Sequence, residues 1–364
     1  MPGSLFDPIR IGGLQLAGRF AKSATIEALC DADGFVTDEL IAFYERVAEA
    51  GTPLIVTGSA HYSFDGKAMP RQMGLDHDDK ITGLRRLTDA VHRHGAKIFA
   101  QPYHCGRQAI PRPVGRTEAL SASAVFEPLL MVKPRPMTVA EIRTTIRQHA
   151  DAAARCREAG FDGIQMHGAH GYLINQFLTP HTNRRRDEYG GSFENRLRFL
   201  MEKYRATRER VGSDYPIILK LNGSDALPLR KGLGTDELVR VAQRLEAEGL
   251  DAVEISAGHY ESGSAFERGR WNGFFRTVVT QGVARQLPAF ARLGIRTVAP
   301  LMDRFLNRSL GYSEGFNPQS DTGCRCCIRC MADSTINQSR SEPVGSSPMP
   351  LHSCRCQPDV PHHS

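Results

Sequence analysis

The sequence predicts an α/β protein, a TIM (β/α)8-type barrel, and three observations carry that expectation. Short apolar runs alternate along the chain with amphipathic segments of helical spacing, each of those segments ends on a glycine, and no dinucleotide-binding glycine fingerprint accompanies the alternation. Alternation of this kind calls for a parallel sheet covered by outer helices, and the missing fingerprint favours a closed barrel over a doubly wound sheet.

Six strands are expected, at 20–24, 54–57, 97–101, 163–166, 217–221 and 252–256, because each is short, apolar and bounded by polar or glycine-bearing loops, as parallel strands buried on both faces should be. Between them, amphipathic helices are expected at 37–50, 81–94, 139–159, 193–211 and 236–248. Gly51, Gly95, Gly160, Gly212 and Gly249 close them, where the chain must turn left-handed to leave the helix. Thr138 followed by Glu141 has the spacing of a capping box at the start of the third helix.

Composition bounds the function class. A chain of 364 residues with 41% hydrophobic and 24% charged residues can bury a large single core. No run approaches the roughly 18 apolar residues of a spanning helix, and Met1 to Asp7 has neither the basic start nor the apolar centre of a signal peptide, so a cytoplasmic protein is expected. The formal charge of +6 is spread along helices rather than gathered into an arm, which argues against nucleic-acid binding. Cys30, Cys105 and Cys156 are the only cysteines before residue 317, as in a reduced cytosolic protein.

In such a barrel the chemistry sits just after the strands. His167, His170 and Tyr172 place two imidazoles and a phenol directly after the fourth expected strand, a set able to polarise a carbonyl and deliver a proton; the alternative is a pair of core histidines at a strand end. Lys220 stands inside the apolar run Ile217-Ile218-Leu219-Lys220-Leu221, where an ammonium pointing inward would be costly without an anion; otherwise it is a strand-end lysine reaching solvent. Gln101 ends the third expected strand with a donor and an acceptor in one plane, although a lone glutamine there is more often simply a satisfied strand end.

The stretch His167-Gly168-Ala169-His170-Gly171-Tyr172-Leu173-Ile174-Asn175-Gln176-Phe177-Leu178 runs on through Asn183-Arg184-Arg185-Arg186-Asp187-Glu188-Tyr189-Gly190-Gly191-Ser192 to Glu194-Asn195-Arg196. Over this length the sequence resembles the old yellow enzyme family of FMN-dependent NAD(P)H:flavin oxidoreductases. Gln101-Pro102-Tyr103-His104-Cys105-Gly106-Arg107 is similar to the family's glutamine, histidine, glycine, arginine signature. The resemblance implies FMN as cofactor, NADH or NADPH as electron donor, and ping-pong reduction of a small-molecule acceptor such as a carbonyl-conjugated alkene.

Site roles follow from the same resemblance. His167 and His170 would donate hydrogen bonds to the acceptor's carbonyl oxygen, and Tyr172 would be the proton donor. Backbone groups at Ser23, Ala24 and Thr25 would contact the flavin ring, with Ala24 standing where the family has a proline and Ile26 where it often has a threonine or cysteine. Gly58 would let the ring approach the backbone, the other reading being an ordinary turn glycine. Gln101 would meet the pyrimidine edge, and Lys220 the N1 and C2 carbonyl side. His104 and Arg107 are read as structural, His259 and Tyr260 as pocket residues. Barrels of the family often pair, which makes a homodimer an expectation.

Trp271 and the stretch to Phe316 resemble a lid or extension found in one branch of the family. From residue 317 the composition turns to Ser, Pro, Cys, Arg and His, so the oxidoreductase barrel is expected over 1–316 and a disordered tail over 317–364, with strands 7 and 8 of the barrel not identifiable. Two alternatives accompany this: an inactive or truncated barrel that does not retain FMN, and a metal-binding tail in which Cys324, Cys327 and Cys330 take zinc or an iron–sulfur cluster.

Overall fold

The computed structural model describes residues 4–261 apart from 110, 226, 228–230 and 257, together with residue 293. The expected extension at 271–316, the tail at 317–364, the candidate ligands Cys324, Cys327 and Cys330, and the question of strands 7 and 8 all lie outside the described residues.

The chain opens with a small antiparallel hairpin, β1 (Ile9–Ile11) and β2 (Leu14–Leu16). It continues through β3 (Ala21–Lys22), α1 (Asp38–Glu49), β4 (Leu54–His61), α2 (Ile81–His92) and β5 (Lys97–Tyr103). A minor parallel pair, β6 (Leu120–Ser121) with β7 (Arg135–Pro136), precedes α3 (Val139–Glu158). Then come β8 (Gly163–Gly168), the short α4 (Leu173–Leu178), α5 (Phe193–Val211), β9 (Ile217–Asn222), α6 (Thr235–Glu246) and β10 (Ala252–Ser256). Six strands form one parallel sheet in the order β10-β9-β8-β5-β4-β3, successive strands lying side by side as in a barrel wall. The fold is therefore the expected TIM-barrel class, with all six expected strands and all five expected helices present.

The helix ends follow the expected chemistry. Thr138 accepts from the Glu141 amide at 3.2 Å while the Glu141 carboxylate accepts from the Thr138 amide at 2.7 Å, completing the capping box of α3. The five glycines that close the long helices all have positive φ, between +74° and +89°. Ser192, from the long signature segment, caps α5 by accepting from the Asn195 amide at 3.2 Å.

Period-2 alternation sorts the strand residues onto two faces. Ile98, Ala100, Ile164, Met166, Ile217, Leu219 and Leu221 pack outward against the helices in the larger core. Leu54, Val56, Phe99 and Ile218 point inward and meet Ile9, Ile11 and Leu16 of the hairpin, which plugs the N-terminal end of the sheet's interior. Above that apolar layer the inward positions become polar: Gln101, Gln165, Lys220 and Glu254, each two residues further along its strand than an apolar or small inward neighbour. This polar layer is where the site begins.

The hairpin, α4 and the β6/β7 pair were not expected. The hairpin strands and the β6/β7 strands are three residues long or shorter, and all six residues of α4 are buried, so neither leaves a readable period. Several strand ends also needed correction: β3 stops at Lys22 rather than Ala24, β8 runs to Gly168 rather than Met166, and β9 to Asn222 rather than Leu221. β4 runs to His61 rather than Thr57, and β5 to Tyr103 rather than Gln101, because their last turns are polar yet fully enclosed by the loops above. Among the described residues no helix is long and apolar enough to cross a membrane.

Burial holds several histidines neutral. His104, His149 and His167 lie well inside the fold with pKa values below the ordinary 6.5, lowered chiefly by desolvation, and His170 and His259 are lowered by the same cause to about 4 and about 3. On unfolding each regains its ordinary value and takes up a proton below about pH 6.5. The unfolded state then binds more protons, so stability falls as pH drops from about 6.5 toward 4. Urea unfolding at pH 7.0 and pH 5.0 checks this: the midpoint is expected to be clearly lower at pH 5.0, above the range where ordinary carboxylates titrate, and equal midpoints would contradict it.

Candidate active site

Lys220 on β9 is 5% exposed and faces Glu254 on β10, to which the strand register pairs it directly. Its Nζ lies 2.6 Å from Glu254 Oε1 and 2.8 Å from Ser23 Oγ, and the Ser23 hydroxyl donates to the same carboxylate oxygen at 2.6 Å. The anion demanded by a buried lysine is thus supplied by the neighbouring strand, and the reading of Lys220 as a solvent-reaching lysine is corrected. Burial works to raise the Glu254 pKa, but the Lys220 charge and the hydrogen bonds from Lys220, Ser23 and Gln165 outweigh it and hold the carboxyl below its usual value.

From Glu254 a line of hydrogen bonds crosses four strands. Gln165 Nε2 on β8 donates to Glu254 Oε2 at 2.6 Å, Gln101 Nε2 on β5 donates to Gln165 Oε1 at 2.6 Å, and Ser59 Oγ on β4 donates to Gln101 Oε1 at 2.7 Å. The alignment of Ser59 with Gln101 depends on a bulge in β4, where the register shifts between Val56 and Ser59. Without the extra residue, strict alternation from Leu54 and Val56 would turn Ser59 to the other face.

Gly58 sits in that bulge, inside the strand rather than after it, which corrects its reading as a turn glycine. Its amide donates to Tyr44 Oη at 2.8 Å and to Glu27 Oε1 at 3.1 Å, and the Tyr44 hydroxyl is itself bonded to Glu27. A Cβ at this position would collide with the Glu27 carboxylate and stand 2.6 Å from the Thr25 carbonyl oxygen. Ala24 packs against the inner apolar cluster and Thr25 is exposed.

His167, at the end of β8, is 6% exposed, and its Nδ1 accepts from the Ala169 amide at 3.3 Å. With its pKa held well below 6.5 by burial the ring is neutral, and an accepting Nδ1 puts its proton on Nε2. His170 follows in a left-handed turn, φ +61°, with Gly171 at φ +82°. Asn222 Oδ1 accepts from the His170 amide at 3.2 Å, the Tyr260 amide donates to the His170 carbonyl at 3.1 Å, and His170 Nε2 lies 2.6 Å from Ser256 Oγ.

The His167 and His170 rings stand edge to face at 5.3 Å, and the Tyr172 ring lies 4.9 Å from His167 and 4.7 Å from Tyr103. Burial pushes the Tyr172 hydroxyl up to about 12, so it stays protonated at neutral pH. The turn is backed by Gln176, whose Nε2 donates to the Gly171 carbonyl at 2.6 Å. Its underside is filled by His259, close enough that a Cβ on Gly171 would stand 2.6 Å from the imidazole Nε2. His259 is 3% exposed and packs beneath the turn, whereas Tyr260 is 39% exposed beside it.

The rest of the signature segment is scaffold. Asn183 Nδ2 donates to the Phe177 and Tyr189 carbonyls at 2.7 Å, Arg185 Nη1 to the Ala122 and Met137 carbonyls at 3.0 and 2.6 Å, and Arg196 Nε to the Leu178 carbonyl at 2.7 Å. Arg107, fully buried, donates to the Val125 and Phe126 carbonyls and pairs with Glu261. His104 Nδ1 accepts from the Gly106 amide at 3.0 Å.

Sequence reasoning passed over Gln165 and Glu254 as partners. Each is one of two polar side chains in its short strand, and what marks it is its bonding across strands, Glu254 to Lys220 and Gln165 to both Glu254 and Gln101.

One parallel (β/α) sheet thus carries a buried cation, an amide line and a histidine–tyrosine turn at the C-terminal ends of its strands. The chain belongs to the NADH:flavin oxidoreductase / NADH oxidase family, whose model matches residues 4–283. It is 38% identical over 304 residues to the NADH oxidase of Thermoanaerobacter brockii, covering 79% of this chain and 46% of that protein. An NADPH dehydrogenase of a Geobacillus species is 38% identical over 259 residues, 71% of this chain and 74% of the relative. Against the first of these relatives the chain spans about half the length. Among solved structures, a 2-naphthoyl-CoA reductase bound to 2-naphthoyl-CoA matches with TM-score 0.69 and 30% identity over 81% of this chain and 48% of the other. The old yellow enzyme homologue from Zymomonas mobilis matches with TM-score 0.63 and 26% identity over 70% and 73%.

The residues present fit FMN. Gln101 offers an amide in one plane and Lys220 a buried cation on the same inner layer, the donor set suited to the polar edge of a flat ring that gains negative charge on reduction.

Gly58→Ala separates two uses of that glycine. Collision with Glu27 and the Thr25 backbone is expected to cost about 1–3 kcal/mol, lowering the melting temperature whether or not FMN is bound. An unchanged melting temperature without FMN, with weakened FMN binding, would assign the glycine to ring approach instead.

Proposed function

We propose that this chain is an FMN-dependent NAD(P)H oxidoreductase that reduces carbonyl-conjugated alkenes or related acceptors by a ping-pong route. The observation that carries the reading is the turn after β8, where two neutral imidazoles and a protonated phenol converge above the Lys220 layer. The names of the relatives, NADH oxidase and NADPH dehydrogenase, agree with it.

Bound FMN would supply the acceptance of a hydride from NAD(P)H and its delivery to the acceptor. This chain's own residues do the rest. Gln101 and Lys220 would hold the cofactor's polar edge, with Ser23, Ala24 and Thr25 beside the ring. His167, with its proton on Nε2, and His170 would donate to the acceptor's carbonyl oxygen, where charge develops as the alkene is reduced. Neutral histidines suit this work, since a donor that keeps its proton holds the oxygen in place without transferring to it. Tyr172 would give its proton to the carbon next to the carbonyl and be reprotonated from solvent. A phenol with pKa near 12 is a weak acid, so it delivers only to a strongly basic centre, as an enolate carbon is.

Two measurements test this. The visible spectrum of the purified, desalted protein with FMN offered during purification is expected to show bound flavin, and a colourless protein that takes up no FMN would overturn the reading. In stopped-flow work, Tyr172→Phe is expected to leave flavin reduction by NAD(P)H near the wild-type rate and to slow reoxidation by an enone by about 10²-fold or more. Equal loss in both half-reactions would make Tyr172 a structural residue.

A further inference from the structure

Among the described residues Glu254 is the carboxylate that joins Lys220, Ser23 and Gln165, and its chemistry dictates the orientation of the groups bonded to it. An ionised carboxylate only accepts hydrogen bonds. Gln165 must therefore turn its NH2 toward Glu254 and its carbonyl toward Gln101. Gln101 must in turn present its NH2 to Gln165 and its carbonyl to Ser59. A glutamine or neutral acid at 254 would allow the whole line to run the other way, because both amides can rotate end for end and the Ser59 hydroxyl can donate or accept. The same carboxylate accepts from Lys220 at 2.6 Å, and Lys220 also donates to the Ser23 hydroxyl at 2.8 Å, so the ammonium is compensated within the β9–β10 pair and the β3–α1 connection.

We propose that Glu254 is a positioning residue for the flavin site, whose carboxylate fixes Lys220 and sets the direction of the Gln165 and Gln101 amides that together meet the flavin's polar edge. This rests on the reading of the site as an FMN site. It places two opposed demands on one carboxylate. Lys220 favours the reduced cofactor by its positive charge, and Glu254 restrains that preference by holding the ammonium in the β9–β10 pair, keeping the cofactor ready to pass its electrons on. Among the described residues a further cation close to the pair is Lys22, whose pKa is lowered chiefly by burial and which is held by the Glu27 carboxylate at 3.6 Å.

The test is the two-electron midpoint potential of the FMN-loaded protein at pH 7, with FMN affinity measured separately on the oxidised form. In Glu254→Gln the ammonium loses its counter-charge. The ratio of reduced to oxidised FMN affinity is expected to rise about tenfold, which is an upward potential shift of about 30 mV. Oxidised FMN should also bind more weakly, since the amide line is no longer held in one direction. In a Lys220→Gln background the same Glu254→Gln change is expected to move the potential much less, because the effect runs through the lysine.

If Glu254→Gln does not fold, Glu254→Asp replaces it; the withdrawn carboxylate should shift the potential in the same direction by a smaller amount. A variant that holds FMN with wild-type potential and wild-type affinity overturns the proposal. So does an equal shift with and without Lys220. A wild-type protein that binds no FMN would instead overturn the reading of the site itself, which keeps the two failures apart.

Discussion

The organisation of the barrel's interior depends on the Lys220–Glu254 pair. A lysine 5% exposed on the inner face of a parallel sheet cannot stay charged without an anion, and removing one member of a buried pair leaves the other uncompensated at a cost of about 3–5 kcal/mol. Each step outward from that pair is then forced. The carboxylate needs donors and takes them from Ser23, Lys220 and Gln165; Gln165 needs a donor for its carbonyl and takes Gln101; Gln101 needs one for its own and takes Ser59. The bulge in β4 exists in the register that brings Ser59 to Gln101, so a backbone irregularity on one strand answers to a charge four strands away.

Most of the fold was legible because buried parallel strands and amphipathic helices each leave a period in the sequence, and glycine marks where the helices stop. The five glycines adopt the positive φ that the ends require, and the capping box at Thr138 and Glu141 closes as its spacing implies. What was not legible lacked a period or hid it. The hairpin at Ile9 to Leu16 has strands too short to show alternation, and α4 is buried on every side. Gly58 looked like the end of β4 because the apolar run stops there, whereas the chain inserts one residue and continues as strand.

The site was legible where a residue contradicted its surroundings. Lys220 stood out as a charge in an apolar run, and His167, His170 and Tyr172 as a cluster of polar rings after a strand. Glu254 did not stand out, since β10 is a partly exposed strand among the described residues and a single acid in it is unremarkable on its own terms. Its meaning is relational: it lies opposite Lys220 in the register, and that register is visible only once the two strands are paired. Gln165 was hidden in the same way. His259 shows the converse, a polar residue on a loop that looked available for substrate and is in fact packed beneath Gly171.

The left-handed backbone at His170 ties these layers together. A non-glycine residue at φ +61° is held against an intrinsic cost of order 1 kcal/mol or more, and three residues on or just after two strands hold it. Asn222 from β9 takes its amide, Tyr260 after β10 takes its carbonyl, and Ser256 at the end of β10 meets its ring. Behind the turn, Glu261 joins His181 to Arg107, so the loop after β10 is fastened both to the segment after α4 and to the loop after β5. Because β10 also carries Glu254, the strand that compensates the cation below is the one that fixes the histidine above. A shift of β10 along its register would move both at once, while the β8–β9 register, which pairs His167 directly with Lys220, holds the other imidazole against the same cation.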